Sequence, residues 1–318
     1  MVDIPTARGV TAITMASETS TTALPAPGGL TSALLKSGGL CEKCVTGFAH
    51  GGTPAGAIGE LAPGMQAYFA PAPPAALARD APTLLMVPDV FGIRFANTQL
   101  LADSYAALGL HVVVADVYAG RSMIGAITAI DRPGAGFFSK LGGVLYSLPA
   151  IVSFFNGAGD KVVTPRARVA AEAARARAVA LGNGRLAAAG YCWGGRFALG
   201  LGSGPAPLVD AWVACHSGFV DQAKLDAAAR PGLVVVPERT HGGEIQASEV
   251  EPIRARRAAA AAAAAAEGKP PPFQPLQLEL YANVDHGFTT RCGPEGFAMR
   301  DKAVVDVADF VMKALAKA

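Results

Sequence analysis

The chain has 318 residues, and 27 Lys and Arg against 25 Asp and Glu give a formal net charge of +2. That balance carries no basic excess to hold a phosphate backbone, which excludes a nucleic-acid binder on electrostatic grounds. Charged residues make up 16%, below the globular norm of about 25%, yet no uninterrupted apolar run reaches the length of about 18 residues that a membrane span needs.

Residues 1–29 are Thr, Ser, Ala, Pro and Gly with little periodicity and read as a disordered leader before one domain over 30–318. The leader lacks the charged start and apolar core of a signal peptide. Five cysteines are an odd number for a disulfide framework, so thiols in a reducing, cytoplasmic setting are expected. Residues 41–56 are turn-rich. Gly59 to Ala70 reads as a hairpin or edge strand leading into Pro71–Pro74.

Strands and helices then alternate. Leu84–Val87 is a compact apolar strand ended by Pro88. Asn97–Leu108 has helical spacing and stops at Gly109. His111–Val114 is a second strand, and Arg166–Leu181 an Ala/Arg helix. Leu186–Tyr191 is a strand followed by a glycine-flanked turn and an apolar helix, Arg196–Leu201. Ala211–Ala214, Leu233–Val236 and Leu276–Tyr281 are further strands, and Asp301–Leu315 closes the chain as a helix. This alternation predicts an α/β fold, a mostly parallel twisted sheet with helices on both faces. Two segments break the rhythm. Met123–Asn156 is apolar and aromatic and is expected to pack over a site. Arg254–Pro275 carries an alanine run that extends a helix until its prolines end it.

The chemistry concentrates at Gly190-Tyr191-Cys192-Trp193-Gly194-Gly195, between a strand and a helix. A G-x-nucleophile-x-G pattern makes a sharp turn that lifts the nucleophile above the carboxyl edge of the sheet. Here that position holds Cys192, and the helix start beside it favours thiolate. A thiolate needs a proton partner. His286, in Asp285-His286-Gly287-Phe288 after the last strand, fits that place better than His50, His111, His216 or His241. Cys41-x-x-Cys44 with His50 invites a zinc reading, but four ligands are wanted and no second close pair is visible. No metal and no cofactor is therefore expected.

These blocks resemble the dienelactone hydrolase family of α/β-hydrolases. Val87 to Tyr118 is similar to that family's first conserved block, GYCWGG to its nucleophile block and YANVDHGF to its histidine block. CEKCVTGFAHGGTPAG resembles the leader of its fungal and other eukaryotic members. The resemblance covers about residues 41–316. It implies an α/β-hydrolase fold and hydrolysis of a small ester or lactone, with Cys192 as nucleophile and His286 as base. The implied oxyanion hole uses the backbone N–H groups of Val90 and Trp193. Asp89 falls where relatives carry an acid that contacts the resting cysteine, and Arg291 where they hold a substrate carboxylate. The family's triad Asp is missing: Thr240 stands at its place, with Glu238 and Glu244 nearby. Glu238 is the expected substitute. Were the acid absent altogether, the alternative is a catalytically weakened member acting as a binding or regulatory protein.

Overall fold

The computed structural model describes residues 21–24, 42–75, 81–124, 148–240 and 243–316. Ten strands are present among them: β1 (Thr21–Ala23), β2 (Phe48–His50), β3 (Ala57–Ala62), β4 (Met65–Phe69), β5 (Thr83–Val87), β6 (His111–Ala115), β7 (Leu186–Tyr191), β8 (Ala211–Cys215), β9 (Gly232–Arg239) and β10 (Leu276–Asp285). The helices are α1 (Ala96–Ala107), α2 (Asp160–Ala180), α3 (Gly195–Leu201), α4 (Gln222–Asp226), α5 (Ala247–Ala266), the single turn α6 (Phe288–Arg291) and α7 (Phe297–Ala314). Residues 148–157 are also helical.

Eight strands form one sheet in the order β10-β9-β8-β7-β5-β6-β4-β3. β10 through β6 run parallel. β4 and β3 close one edge as an antiparallel hairpin, the element expected over Gly59–Ala70. β1 pairs with β2 in a separate two-stranded sheet, so a short piece of the segment expected to be unstructured is strand. Apart from Leu24, the rest of that leader lies outside the described residues.

Parallel strands covered on both faces read as unbroken apolar runs, and successive side chains go to opposite faces. The two cores show that alternation. Leu85, Val87, Ala188, Trp212, Ala214, Val234 and Val236 point to one face, where Ala167, Ala170, Ala171 and Ala174 of α2 and Val250 and Ile253 of α5 cover them. Leu84, Met86, Ala187, Ala189, Val213 and Val235 point to the other, beneath Leu101 and Tyr105 of α1 and Val304 and Val307 of α7. The mostly parallel sheet with helices on both faces is the one that the alternation of elements predicted, in the α/β-hydrolase arrangement that the resemblance implied.

Two helices begin earlier than expected. α2 starts at Asp160 and carries Pro165 inside it, and α5 starts at Ala247 and carries Pro252. Proline costs a ladder hydrogen bond within a helix, which is why the pattern placed the start of α2 at Arg166. Gln246 caps α5 in a reciprocal capping box with Glu249, a signal that the alanine run obscured. Of the excursion expected over Met123–Asn156, residues 125–147 lie outside the described residues. Its helical end brings Phe154 and Phe155 each within 6.3 Å of the Trp193 ring. Among the described residues, no helix is long and apolar enough to cross a membrane.

Candidate active site

The site stands where β7 turns into α3. Cys192 has φ +51°, a left-handed conformation that a non-glycine residue holds only when its surroundings force it. The forcing is close packing. A Cβ on Gly190 would run into the backbone of Gly194 and Gly195, and one on Gly194 into the carbonyls of Val87 and Pro88. The two glycines let the elbow lie directly against the end of β5. Gly190→Ala and Gly194→Ala are therefore expected to destabilise the protein by at least about 1–3 kcal/mol, the overpacking range, measured by chemical denaturation. Full stability in both would contradict the packing.

The carboxyl ends of three strands converge on Cys192. His286 follows β10, and its Nε2 lies 3.0 Å from the Cys192 sulfur. Its Nδ1 meets Oε1 of Glu244 in a short, fully buried contact. Cys192 and His286 are buried, and so is Glu244. Burial by itself pushes the Cys192 thiol up. A hydrogen bond from Cys44, the charge and hydrogen bond of His286 and the charge of Arg291 outweigh it and hold the thiol well below its ordinary value. Burial likewise disfavours the charged imidazole, but Cys192 and Glu244 together raise His286 well above its ordinary value. Both shifts favour a thiolate beside an imidazolium.

Glu238, the carboxylate expected to orient His286, is elsewhere. It lies exposed near the end of β9 and accepts the backbone N–H of Asn283 at 2.7 Å. Thr240 donates its hydroxyl to Gln246 at the start of α5. The chain leaves the sheet after β9 and turns through Gly243 (φ +90°), which delivers Glu244 to the imidazole. The carboxylate thus stands four residues beyond the position where the family pattern looks for it.

Arg291 departs from expectation. Arg291 is 2% exposed, and all three of its guanidinium nitrogens are engaged inside the protein. Nη1 pairs closely with Asp89, Nε donates to the carbonyl of Thr46 and Nη2 to that of Lys43, both at 3.1 Å. The side chain expected to grip a substrate instead straps residues 43–46 onto the site. Asp89 accepts from Thr290 Oγ1 and, through its other oxygen, from the N–H of Phe91. That last bond with the Gly92 N–H to Asp89 carbonyl bond makes a turn that fixes the Val90 peptide. Breaking a buried ion pair costs about 3–5 kcal/mol. Arg291→Ala is expected to lower the melting temperature by about 10 °C. An unchanged melting temperature with a raised KM would restore the substrate role.

Trp193 follows Cys192 at the start of a helical turn, and its indole N–H donates to the carbonyl of Ala158 at 2.8 Å. The ring packs edge-on to Phe219 at 5.4 Å and under the Arg196 guanidinium at 3.8 Å. A groove of about 430 Å³ opens there, lined by Phe155, Trp193, Arg196, Phe219 and Lys224 among others. His216 forms a wall of the site. Its ring lies 5.1 Å from that of His286, its Nε2 bonds Thr289 Oγ1 at 2.6 Å, and burial, with the charges of His286 and Arg291, pushes it well below its ordinary value.

The four described cysteines are buried thiols. Burial pushes Cys215 up while Cys192 is held down. Alkylation at near-neutral pH is expected to modify Cys192 first, read by peptide mapping. Faster labelling of Cys215 or Cys292 would contradict the electrostatics. The turn that carries Cys44 brings it to a specific place: its sulfur, the Cys192 sulfur and a ring nitrogen of His286 all lie within 4.8 Å of one another. Sequence spacing held no signal for this approach. His50, the third member of the zinc reading, is turned away, with Nε2 on the carbonyl of Cys292 at 2.9 Å.

Comparison with known proteins places this geometry in context. The chain is 24% identical over 257 residues to the hydrolase pyvD of Aspergillus violaceofuscus, covering 78% of this chain and 85% of that one. It is 24% identical over 283 residues to the hydrolase tropI of Talaromyces stipitatus, covering 84% and 94%. Among solved structures, a protein of Klebsiella pneumoniae whose assignment as a dienelactone hydrolase is itself inferred superposes with a TM-score of 0.50 at 17% identity, covering 80% of this chain and 93% of that one. Esterase 2 of Thermogutta terrifontis gives 0.50 at 13% identity, covering 84% and 97%. These two likenesses speak for the fold. The model of the dienelactone hydrolase family matches residues 65–317, most of the sequence, and the chain belongs to that family.

Proposed function

We propose that this protein hydrolyses a small carboxylic ester or lactone through a thioester on Cys192. The observation that carries the reading is the buried chain of Cys192, His286 and Glu244, with a 3.0 Å contact between sulfur and imidazole. The thiolate attacks the carbonyl carbon, and the π pair moves onto oxygen. The N–H groups of Trp193 and Val90 are the donors for that oxyanion. When the tetrahedral intermediate collapses, the bond to the leaving oxygen breaks and His286 gives that oxygen its proton. A water then loses a proton to His286 and attacks the thioester, releasing the acid and restoring the ion pair. Glu244 holds the imidazole by Nδ1 throughout and stabilises its charged form.

The groove beside Trp193 is of the size that takes a small molecule, with Phe155, Trp193 and Phe219 set beside Asp160, Arg196 and Lys224. The alternative of a non-catalytic binding or regulatory protein drew on the absence of an acid at Thr240. A carboxylate against His286 removes that reason. A panel of dienelactone and simple aryl esters tests the proposal. Turnover of at least one, with no metal added, is the expected result. No turnover of any by the folded protein would overturn it.

A further inference from the structure

The mechanism above leaves Cys44 without a chemical part, although it lies in the centre of the site. Cys44 comes from the turn Glu42–Cys44, far in sequence from Cys192 and His286, and Arg291 bonds the carbonyls of Lys43 and Thr46 on either side of it. Asp89 neutralises that arginine. The backbone on both sides of Cys44 is therefore tied to the site through Arg291, and Cys44 itself is buried. Three donor atoms from three separate segments converge there, two sulfurs and one imidazole nitrogen, all within 4.8 Å of one another.

We propose that Cys44, Cys192 and His286 form a binding site for a thiophilic divalent cation of the zinc type, and that its occupancy masks the nucleophile. Two thiolates and an imidazole suit zinc and select against magnesium or calcium, which take oxygen ligands. Zinc bonds of about 2.3 Å to sulfur and 2.0–2.1 Å to nitrogen set tetrahedral donor separations of roughly 3.5–3.8 Å. The 3.0 Å gap between Cys192 and His286 has to widen by only about half an ångström to meet them. Glu244 on the far nitrogen supplies the second support that metal-binding histidines regularly have, fixing the tautomer and strengthening the donor.

Binding a dication to one thiolate, one thiol and one imidazolium releases two protons and leaves two thiolates and a neutral imidazole on the metal. The fourth position stays open to water. With metal in place, the Cys192 lone pair is engaged and His286 holds no proton to deliver, so turnover stops. Hydrolysis without resident metal and inhibition by added metal are consistent with each other. The site itself rests on the placement of three side chains. Only its effect on turnover rests on the proposed role of Cys192.

Cobalt(II) is the probe. It is added anaerobically to the full chain, stripped of metal and kept under a non-thiol reductant. One equivalent is expected to produce thiolate-to-cobalt charge-transfer absorption and tetrahedral ligand-field bands, and equimolar zinc is expected to bleach both. Cys44→Ala is expected to weaken cobalt binding beyond the roughly 10- to 100-fold that loss of a supporting residue costs, while Cys215→Ala leaves it unchanged. If Cys44→Ala does not fold, alkylation of the wild type decides the matter: zinc should protect Cys44 and Cys192 together and leave Cys292 labelling unaltered. Absence of the charge-transfer band, equal binding by Cys44→Ala, or unprotected Cys44 would each overturn the site. A band without any effect on turnover would leave the site standing and count against the role of Cys192.

Discussion

Replacing Cys192 with alanine is expected to lower ester hydrolysis by about 10⁴-fold or more, since loss of a nucleophile removes the covalent route entirely. The variant should fold, because alanine occupies the same backbone position and fits the same space. Circular dichroism and thermal unfolding check that point alongside the assay. Cys192→Ser is expected to recover little. A serine hydroxyl ionises far less readily than this thiol, which its neighbours hold low, and the site is set up for an existing anion rather than for proton removal during attack. Activity within about tenfold of wild type in Cys192→Ala would mean that the chemistry runs elsewhere.

The second large effect is expected at Glu244. Glu244→Gln should cost on the order of 10- to 100-fold near neutral pH, less than the roughly 10⁴ of a serine triad, because a thiol needs less activation. The pH profile carries the sign. Glu244 raises His286, so its loss lets the imidazolium lose its proton at lower pH, and the alkaline limb moves down. The active window narrows from its alkaline side. Glu238→Gln, on an exposed residue that bonds a neighbouring strand, should leave kcat and profile as they are. Thr240→Asp should add nothing, because its side chain faces Gln246 at the cap of α5. An effect at Glu238 as large as that at Glu244 would reverse the assignment.

The sheet was legible because the physics of a buried parallel strand leaves a local mark. Leu84–Val87 and Leu233–Val236 are apolar runs bounded by breakers, and the cores show each of them split between two faces. The elbow was legible for a similar reason: glycines at 190 and 194 are demanded by contacts of under one side-chain width. The partner of His286 was not. Its position depends on how the chain swings off β9, and Glu238 and Glu244 differ there by a loop path that spacing does not encode. Arg291 was misread because its residue type suits a substrate carboxylate and a buried Asp89 equally well, and only the fold brings residues 43–46 under it. The approach of Cys44 to Cys192 is of the same kind, a contact between segments that share no local pattern.

The most direct measurement is the mass of the enzyme during turnover. Glu244→Gln, mixed with an activated aryl acetate and quenched in acid, should gain one acetyl group, and peptide mapping should find it on Cys192 as a thioester that hydroxylamine removes. An acetyl group on Ser217, whose hydroxyl lies 3.2 Å from the Cys192 carbonyl, or turnover with no covalent adduct at any time, would contradict the account.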